Sequence, residues 1–206
     1  MTEGHPAELD LLDWKRRVFA AYAEVREAAD PAGGWERWRA ARDELFASHA
    51  QSPLTPAARR TFAGLPYFDY DPAFRALGAV RAAESVAYDI AASGEHEGSY
   101  RFTRFGAVTF ELLGRSLSLE LYWLEGYGGG LFLPFRDATS GKSTYGAGRY
   151  LLDTIKGADL GMEGDRLVLD FNFAYNPSCA YDPRWVCPLA PPPNRLGVAV
   201  EAGERS

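Results

Sequence analysis

The chain has 206 residues, enough for one domain with a substantial apolar core, so size does not limit its stability. A composition of 47% hydrophobic and 24% charged residues, with 5 Trp, 11 Tyr and 12 Phe, argues against disorder. The 22 Lys and Arg are interleaved with 28 Asp and Glu for a net charge of -6, which argues against nucleic acid and against anionic membrane surfaces as partners.

No run of about 18 apolar residues is present to span a bilayer. Glu3, Glu8, Asp10 and Asp13 stand where a secretory signal needs a basic end and an apolar block, so the expected location is cytoplasmic. Pro6 suits the first turn of a helix, and Leu11, Leu12, Val18, Phe19, Tyr22 and Val25 then share one stripe at helical spacing. Asp30-Pro31 and Gly33-Gly34 predict its end. Trp35, Trp38, Arg42, Leu45 and Phe46 predict a second amphipathic helix with both indoles on one side, completing a helical hairpin. Thr55 reads as an N-cap with Pro56 at the first helical position of a short third helix that stops near residues 64–66.

Residues 1–66 are therefore expected to form a helical region packed on the rest, and residues 67–82, with Tyr67, Phe68, Tyr70 and Phe74, an aromatic linker. An antiparallel β body over residues 83–206 follows, ending in a Cys- and Pro-rich loop. Val86, Tyr88 and Ile90 start a period of two. Residues 94–98 predict a turn, and Tyr100, Phe102, Val108, Phe110 and Leu112 the return strand. Gly114-Arg115 is expected as a two-residue hairpin loop before the alternating Leu117, Leu119, Leu121 and Trp123. Strands are further expected at 131–135, at 150–152, continuously from 167 to 175, and at 196–200. The fold class is thus α+β, mainly β: a helical hairpin and a short helix on an antiparallel meander of about eight strands, as a barrel or a sandwich.

Familiar motifs fail on inspection. Gly141-Lys142-Ser143 lacks the glycine that a phosphate-binding loop requires five residues earlier, where Arg136 stands, and no helix follows. Gly146-Ala147-Gly148 lacks the third glycine of a dinucleotide fingerprint, and Pro177 blocks glycosylation of Asn176. His5, His49 and His96 read as solvated surface imidazoles, so a His-based triad is not expected. Cys179 and Cys187 lie eight apart in one loop with no histidine nearby; a bridge, a metal site and two plain thiols all stay open on spacing. No cofactor is indicated, and no metal ligand is assigned.

The informative feature is polar residues set among large apolar ones. Asp170 and Asn172 share the face of the 167–175 segment opposite its large apolar side chains. In a cavity, Asp170 would be desolvated and could act as a proton acceptor, with Arg149 as its candidate partner. The 137–149 loop concentrates Asp137, Thr139, Ser140 and Tyr145 between two strands, as a ligand-gripping loop or a self-bonded turn would. In the competing reading these groups form an internal network: Asp137 bonds its own backbone two residues on, and Asn172 and Asn176 satisfy loop carbonyls.

LFLPFRDATSG at 131–141, TYGAGRY at 144–150, LDFNFAYNP at 169–177, CAY at 179–181, CPL at 187–189 and NRL at 194–196 follow one another in the order seen in a known family. Together they resemble the bacterial and archaeal domain of unknown function 1684, over residues 100–204 and more loosely over 35–74. The resemblance implies no activity. It marks Asp137, Thr139, Ser140, Gly141, Thr144, Tyr145, Gly148, Arg149, Asp170, Asn172, Tyr175, Asn176, Cys179, Cys187, Asn194 and Glu201 as positions of the family pattern. Secreted relatives imply that the same cysteines also occur where bridging is favoured.

The expected function is binding of a small molecule. Asp170 and Asp137 would accept protons, Arg149 would hold an anionic group, and Tyr145, Thr139, Ser140, Asn172, Asn176 and Asn194 would orient the ligand. Whether a reaction follows is left open. The alternative is a non-enzymatic structural or interaction module built on the same polar network.

Overall fold

The computed structural model describes residues 6–93 and 98–206, so the 94–98 turn, His5 and His96 lie wholly or mostly outside the described residues. Three helices precede an antiparallel seven-stranded sheet. Helix α1 (Ala7–Glu27) and helix α2 (Pro31–Ser48) form the hairpin, and α3 (Pro56–Arg60) is capped by the Thr55 side chain with Pro56 at its first position. No described helix is long and apolar enough to cross a membrane.

The break between α1 and α2 falls earlier than Gly33-Gly34 suggests. Asp30 accepts the N–H groups of Ala32 and Gly33 and Pro31 takes the first helical position, so a capped start outweighs the low helix propensity of two glycines. Gly34 has its own use there: a Cβ on it would stand 3.0 Å from Ala28 at the end of α1. Of the apolar stripe on α1 only Tyr22 is fully buried, while Leu11, Leu12 and Phe19 stay exposed.

The strands are β1 (Arg75–Ala91), β2 (Ser99–Leu112), β3 (Arg115–Leu124), β4 (Leu131–Phe135), β5 (Arg149–Asp153), β6 (Met162–Glu163) and β7 (Arg166–Asp170). They order as β5-β4-β3-β2-β1-β7-β6 with β5 and β6 at the edges, so the sheet does not close on itself. Pairing begins at Arg75, well before the alternation at Val86. The early part of β1 pairs with β7 on one side and β2 on the other, and its register with β2 slips between Ala82 and Val86. The β2–β3 loop is Leu113-Gly114, one residue earlier than expected. Both residues carry positive φ, 51° and 71°, as the tight hairpin turn requires, and Arg115 already pairs with Leu112.

Two further expectations are corrected. The 167–175 segment is not one strand: β7 stops at Asp170, whose side chain accepts the Asn172 N–H and starts a single 3-10 turn, Phe171–Phe173. Residues 196–200 form no ladder. Leu196, Val198 and Val200 do alternate into the core, but the chain runs beside residues 136–138 through isolated bonds such as Leu196 N–H to Arg136 O, 2.8 Å, and Ala138 N–H to Val198 O, 3.0 Å. Alternation reports burial of one face, and a ladder needs a free edge as well.

The helices cover one face of the sheet. Tyr22, Trp35 and Trp38 join one apolar cluster with Phe110, Phe135, Leu169, Phe171 and Phe173, and the Trp38 and Phe173 rings meet edge to face at 4.9 Å. Trp35 also donates its indole N–H to the Asn172 carbonyl at 2.8 Å, which fixes α2 over the 3-10 turn.

Candidate functional site

The sequence-predicted polar residues gather in separate groups. Asp137 is buried, and its Oδ1 accepts from Thr139 N–H (2.7 Å), Thr139 Oγ1 (2.5 Å) and Val200 N–H (3.3 Å). Its Oδ2 meets Arg149 Nη2 at 2.9 Å. Ser140 Oγ accepts the Asp137 N–H at 3.1 Å. Arg149 is 1% exposed and donates onward to the carbonyls of Val200 (3.0 Å), Glu204 (3.3 Å) and Ala202. Burial pulls its pKa below the usual guanidinium value, opposed by the neighbouring Asp137. Arg149 therefore pairs with Asp137 and not with Asp170. This group ties the 137–149 loop to the chain's final extended segment.

Asp170 lies elsewhere, in the wall of a cleft of about 260 Å³ between the α1–α2 junction and β1, β6 and β7, which Arg26, Arg75 and Glu163 also line. Its Oδ1 accepts both the N–H and the Nδ2–H of Asn172, and its Oδ2 accepts the Tyr70 hydroxyl at 3.3 Å, with Arg75 Nε at 3.9 Å. Burial pushes the Asp170 carboxyl above its ordinary 3.8, against the pull of Asn172 and Arg75. Asn172 holds residue 71 as well, accepting Asp71 N–H at 3.0 Å and donating to Asp71 O at 2.8 Å. Asn194 is fully buried and spent on the backbone of Glu120 and Pro134. Tyr145 stands apart from both acids, with its hydroxyl 3.8 Å from Cys179 Sγ.

Asn176 belongs to a third group, whose other members are Arg42 on α2, Tyr67, Tyr181 and Glu204 in the final segment. Glu204 is fully buried; it accepts from Arg42 Nη2 and Asn176 N–H, each at 3.1 Å, and from the Tyr181 hydroxyl. Burial pushes its pKa up, with Arg42 pulling the other way. The Arg42 guanidinium also donates to Tyr67 Oη at 2.8 Å and lies within 5.2 Å of the ring centres of Trp38, Phe46 and Tyr175.

Beside this pair lies a cavity of about 70 Å³ between α1, α2 and the β body, lined by Val18, Tyr22, Arg42, Tyr175, Asn176 and Tyr181 among others. Two of the residues that line it carry a buried side-chain atom without a partner: Tyr22 Oη and Asn176 Oδ1. The Trp38 indole N–H lies beside the Tyr22 hydroxyl without making a well-formed bond. An indole only donates, so the Tyr22 proton has no acceptor there either way. Asn176 spends its Nδ2–H on the Arg205 carbonyl at 2.9 Å and leaves its oxygen free. The lining residues thus carry one unmet donor and one unmet acceptor, while their cation is neutralised by Glu204.

Sequence reasoning missed Tyr22, Arg42, Tyr181 and Glu204 as members of a site. Tyr22 and Arg42 were visible on the helical stripes, where a hydroxyl and a guanidinium among apolar residues were the available signal. His49, expected on the surface, is buried. It accepts Gln51 N–H on Nδ1 at 3.0 Å, which leaves Nε2 to donate to Asp13 at 3.2 Å. Among the described residues no group of three or more His, Cys, Asp or Glu is placed to hold a metal ion.

The chain belongs to the family described as "Protein of unknown function (DUF1684)", whose model matches residues 60–205. Among solved structures it is similar to an uncharacterised protein of Haloarcula marismortui determined by NMR in solution. The two are 38% identical over 82% of this chain and 90% of the other, with a TM-score of 0.60. No curated protein matches.

Proposed function

We propose that this DUF1684 member is a small-molecule-binding domain whose ligand sits in the cavity between the helical hairpin and the β body. The observation that carries the reading is the pair of unpartnered groups, Tyr22 Oη and Asn176 Oδ1, on residues that line one small cavity. A buried polar atom without a partner costs about 1–3 kcal/mol, so two in one small space mark a place that something else completes. Water would complete it at no gain in function. The aromatic walls give an apolar group more to pack against than water uses.

The chemistry of the wall defines the ligand class. With Arg42 neutralised by Glu204, a net charge on the ligand would be desolvated without compensation. A neutral molecule of a few non-hydrogen atoms, carrying an acceptor for Tyr22 and a donor for Asn176 beside an apolar portion, fits; small amides, lactams and alcohols are of this class. Asp137, Arg149, Asn172 and Asn194 then serve the alternative role of internal network. The observation favouring that role for them is that their side chains are spent on backbone groups and on each other.

Protein-observed NMR titration with a series of small amides, lactams and alcohols tests the reading. Saturable shifts are expected at residues lining the cavity, and Val18→Phe, which fills it, should abolish them while the fold's spectrum persists. Shifts that are unsaturable, or that persist unchanged in Val18→Phe, would refute it.

A further inference from the structure

The anion-holding role expected of Arg149 is not open to it, because its guanidinium is spent on Asp137 and on three carbonyls. Two other arginines stand beside that network. Arg136 directly follows β4 and pairs in parallel with Arg195: the Arg136 backbone N–H donates to Asn194 O and the Leu196 N–H to Arg136 O, each at 2.8 Å. Phe135 and Asp137 flank the first arginine, Asn194 and Leu196 the second, and all four are buried. Side chains alternate along extended chain, so both arginines are thrown onto the opposite face, on backbones about 5 Å apart. Like charges at paired positions repel. Among the described residues neither guanidinium has a hydrogen bond or an ion pair to relieve that repulsion. Glu120, whose backbone Asn194 holds, has its carboxylate engaged by the Tyr122 hydroxyl at 2.6 Å and by Arg104 at 3.7 Å.

The two arginines differ in setting. Arg195 is exposed, whereas Arg136 is half-buried with its Nε shut off from solvent and bonded to nothing. Its stem is seated on a bare glycine: a Cβ on Gly148 would stand 3.0 Å from Arg136 Cγ and 2.9 Å from Ala190 Cβ. The Arg136 Nη atoms are unbonded but not shut off, so they are the donors that the side chain presents. A guanidinium held by its stem with those donors unspent has lost much of its freedom before any partner arrives, which lowers the ordering cost of binding.

We propose that Arg136 and Arg195 form a binding site for a phosphate group, free or carried by a small molecule. One guanidinium fork satisfies a carboxylate, while a tetrahedral phosphate has oxygens for two forks and about two negative charges at neutral pH to match both cations. Its arrival removes the repulsion between the arginines and gives acceptors to donors that the protein leaves unmet. The neutral ligand of the Tyr22 cavity plays no part here, so the two readings stand or fall separately.

The test is calorimetric titration of the full chain with inorganic phosphate, and separately with glycerol 3-phosphate, at an ionic strength held constant with sodium chloride. Saturable binding at one site per chain is expected. Arg195→Gln, at an exposed position, and Arg136→Lys, which keeps the charge and loses the fork, should each weaken it by about tenfold or more. Tighter glycerol 3-phosphate would assign the site to a phosphorylated small molecule, and tighter inorganic phosphate to the free ion. Without phosphate, Arg195→Gln should melt no lower than the wild type, because a like charge has been removed. Binding that does not saturate, that persists unchanged in both variants, or that acetate matches would overturn the proposal. An Arg195→Gln protein melting well below the wild type would overturn it too, by showing that Arg195 already has a partner.

Discussion

Asp137 and Arg149 show how a polar pair placed among apolar neighbours becomes a structural fastener. The guanidinium neutralises one carboxylate and donates to carbonyls of the final segment, so removing it leaves Asp137 charged, buried and half-satisfied. Breaking a buried pair in this way costs about 3–5 kcal/mol. Arg149→Leu should lower the unfolding free energy by that amount in urea denaturation, and a loss under about 1 kcal/mol would show that the pair contributes little. Asp170 makes a pH-dependent statement instead. Its folded pKa is raised by burial, so its contribution is fully present below the ordinary 3.8 and declines as pH climbs from there through the folded value. Asp170→Asn does not titrate. The stability of wild type relative to Asp170→Asn should therefore fall across that window and level off above it; a difference that grows with pH would contradict the burial assigned to the carboxyl.

The element to which the Asp137–Arg149 pair and Arg42 are tied is the extended segment over residues 198–205, which forms no ladder yet is bonded along its length. Gly203 O accepts Phe68 N–H at 3.0 Å, Glu204 N–H donates to Ala174 O at 2.8 Å, and Arg205 N–H donates to Pro66 O at 2.8 Å. Gly203 has φ of 77°, and a Cβ there would come within 2.6 Å of Ala174 O and 2.7 Å of Phe171 O. Gly203→Ala meets left-handed strain and two backbone oxygens that cannot swing away. A loss of at least about 1–3 kcal/mol is expected by thermal or chemical denaturation, and a neutral effect would mean that the segment is not seated as described.

Such segments also show what sequence alone conveys. The alternation at Leu117, Leu119 and Leu121 marked a strand because a strand with one buried face has few alternatives. The same period at Leu196, Val198 and Val200 marked burial but no ladder, since the segment meets residues 136–138 only through isolated bonds. At Asp170 the apolar period continued into Phe171 and Phe173 while the side chain of Asp170 itself turned the backbone, a local capping preference that periodicity does not register. Asn176 was legible as a polar residue among aromatics. Its partner Glu204 was not, because the pairing brings together positions 28 apart that share no pattern.

At the scale of the molecule, an open sheet with helices on one face leaves a seam between two layers, and a concave space in such a seam is where a small ligand is most readily held. The helices contribute Tyr22 and Arg42, the body Tyr175, Asn176 and Tyr181, and the final segment the counter-charge Glu204, so no single element contains the site. A seam whose polar groups await a partner should be less stable when empty than one whose groups are absent.

Denaturant unfolding of the wild type and Tyr22→Phe, both freed of any co-purifying molecule, compares those two cases directly. Removing the unpartnered hydroxyl is expected to raise the unfolding free energy by about 1 kcal/mol or more. A loss of similar size would mean that Tyr22 is bonded within the empty protein, and the cavity would then be part of the scaffold.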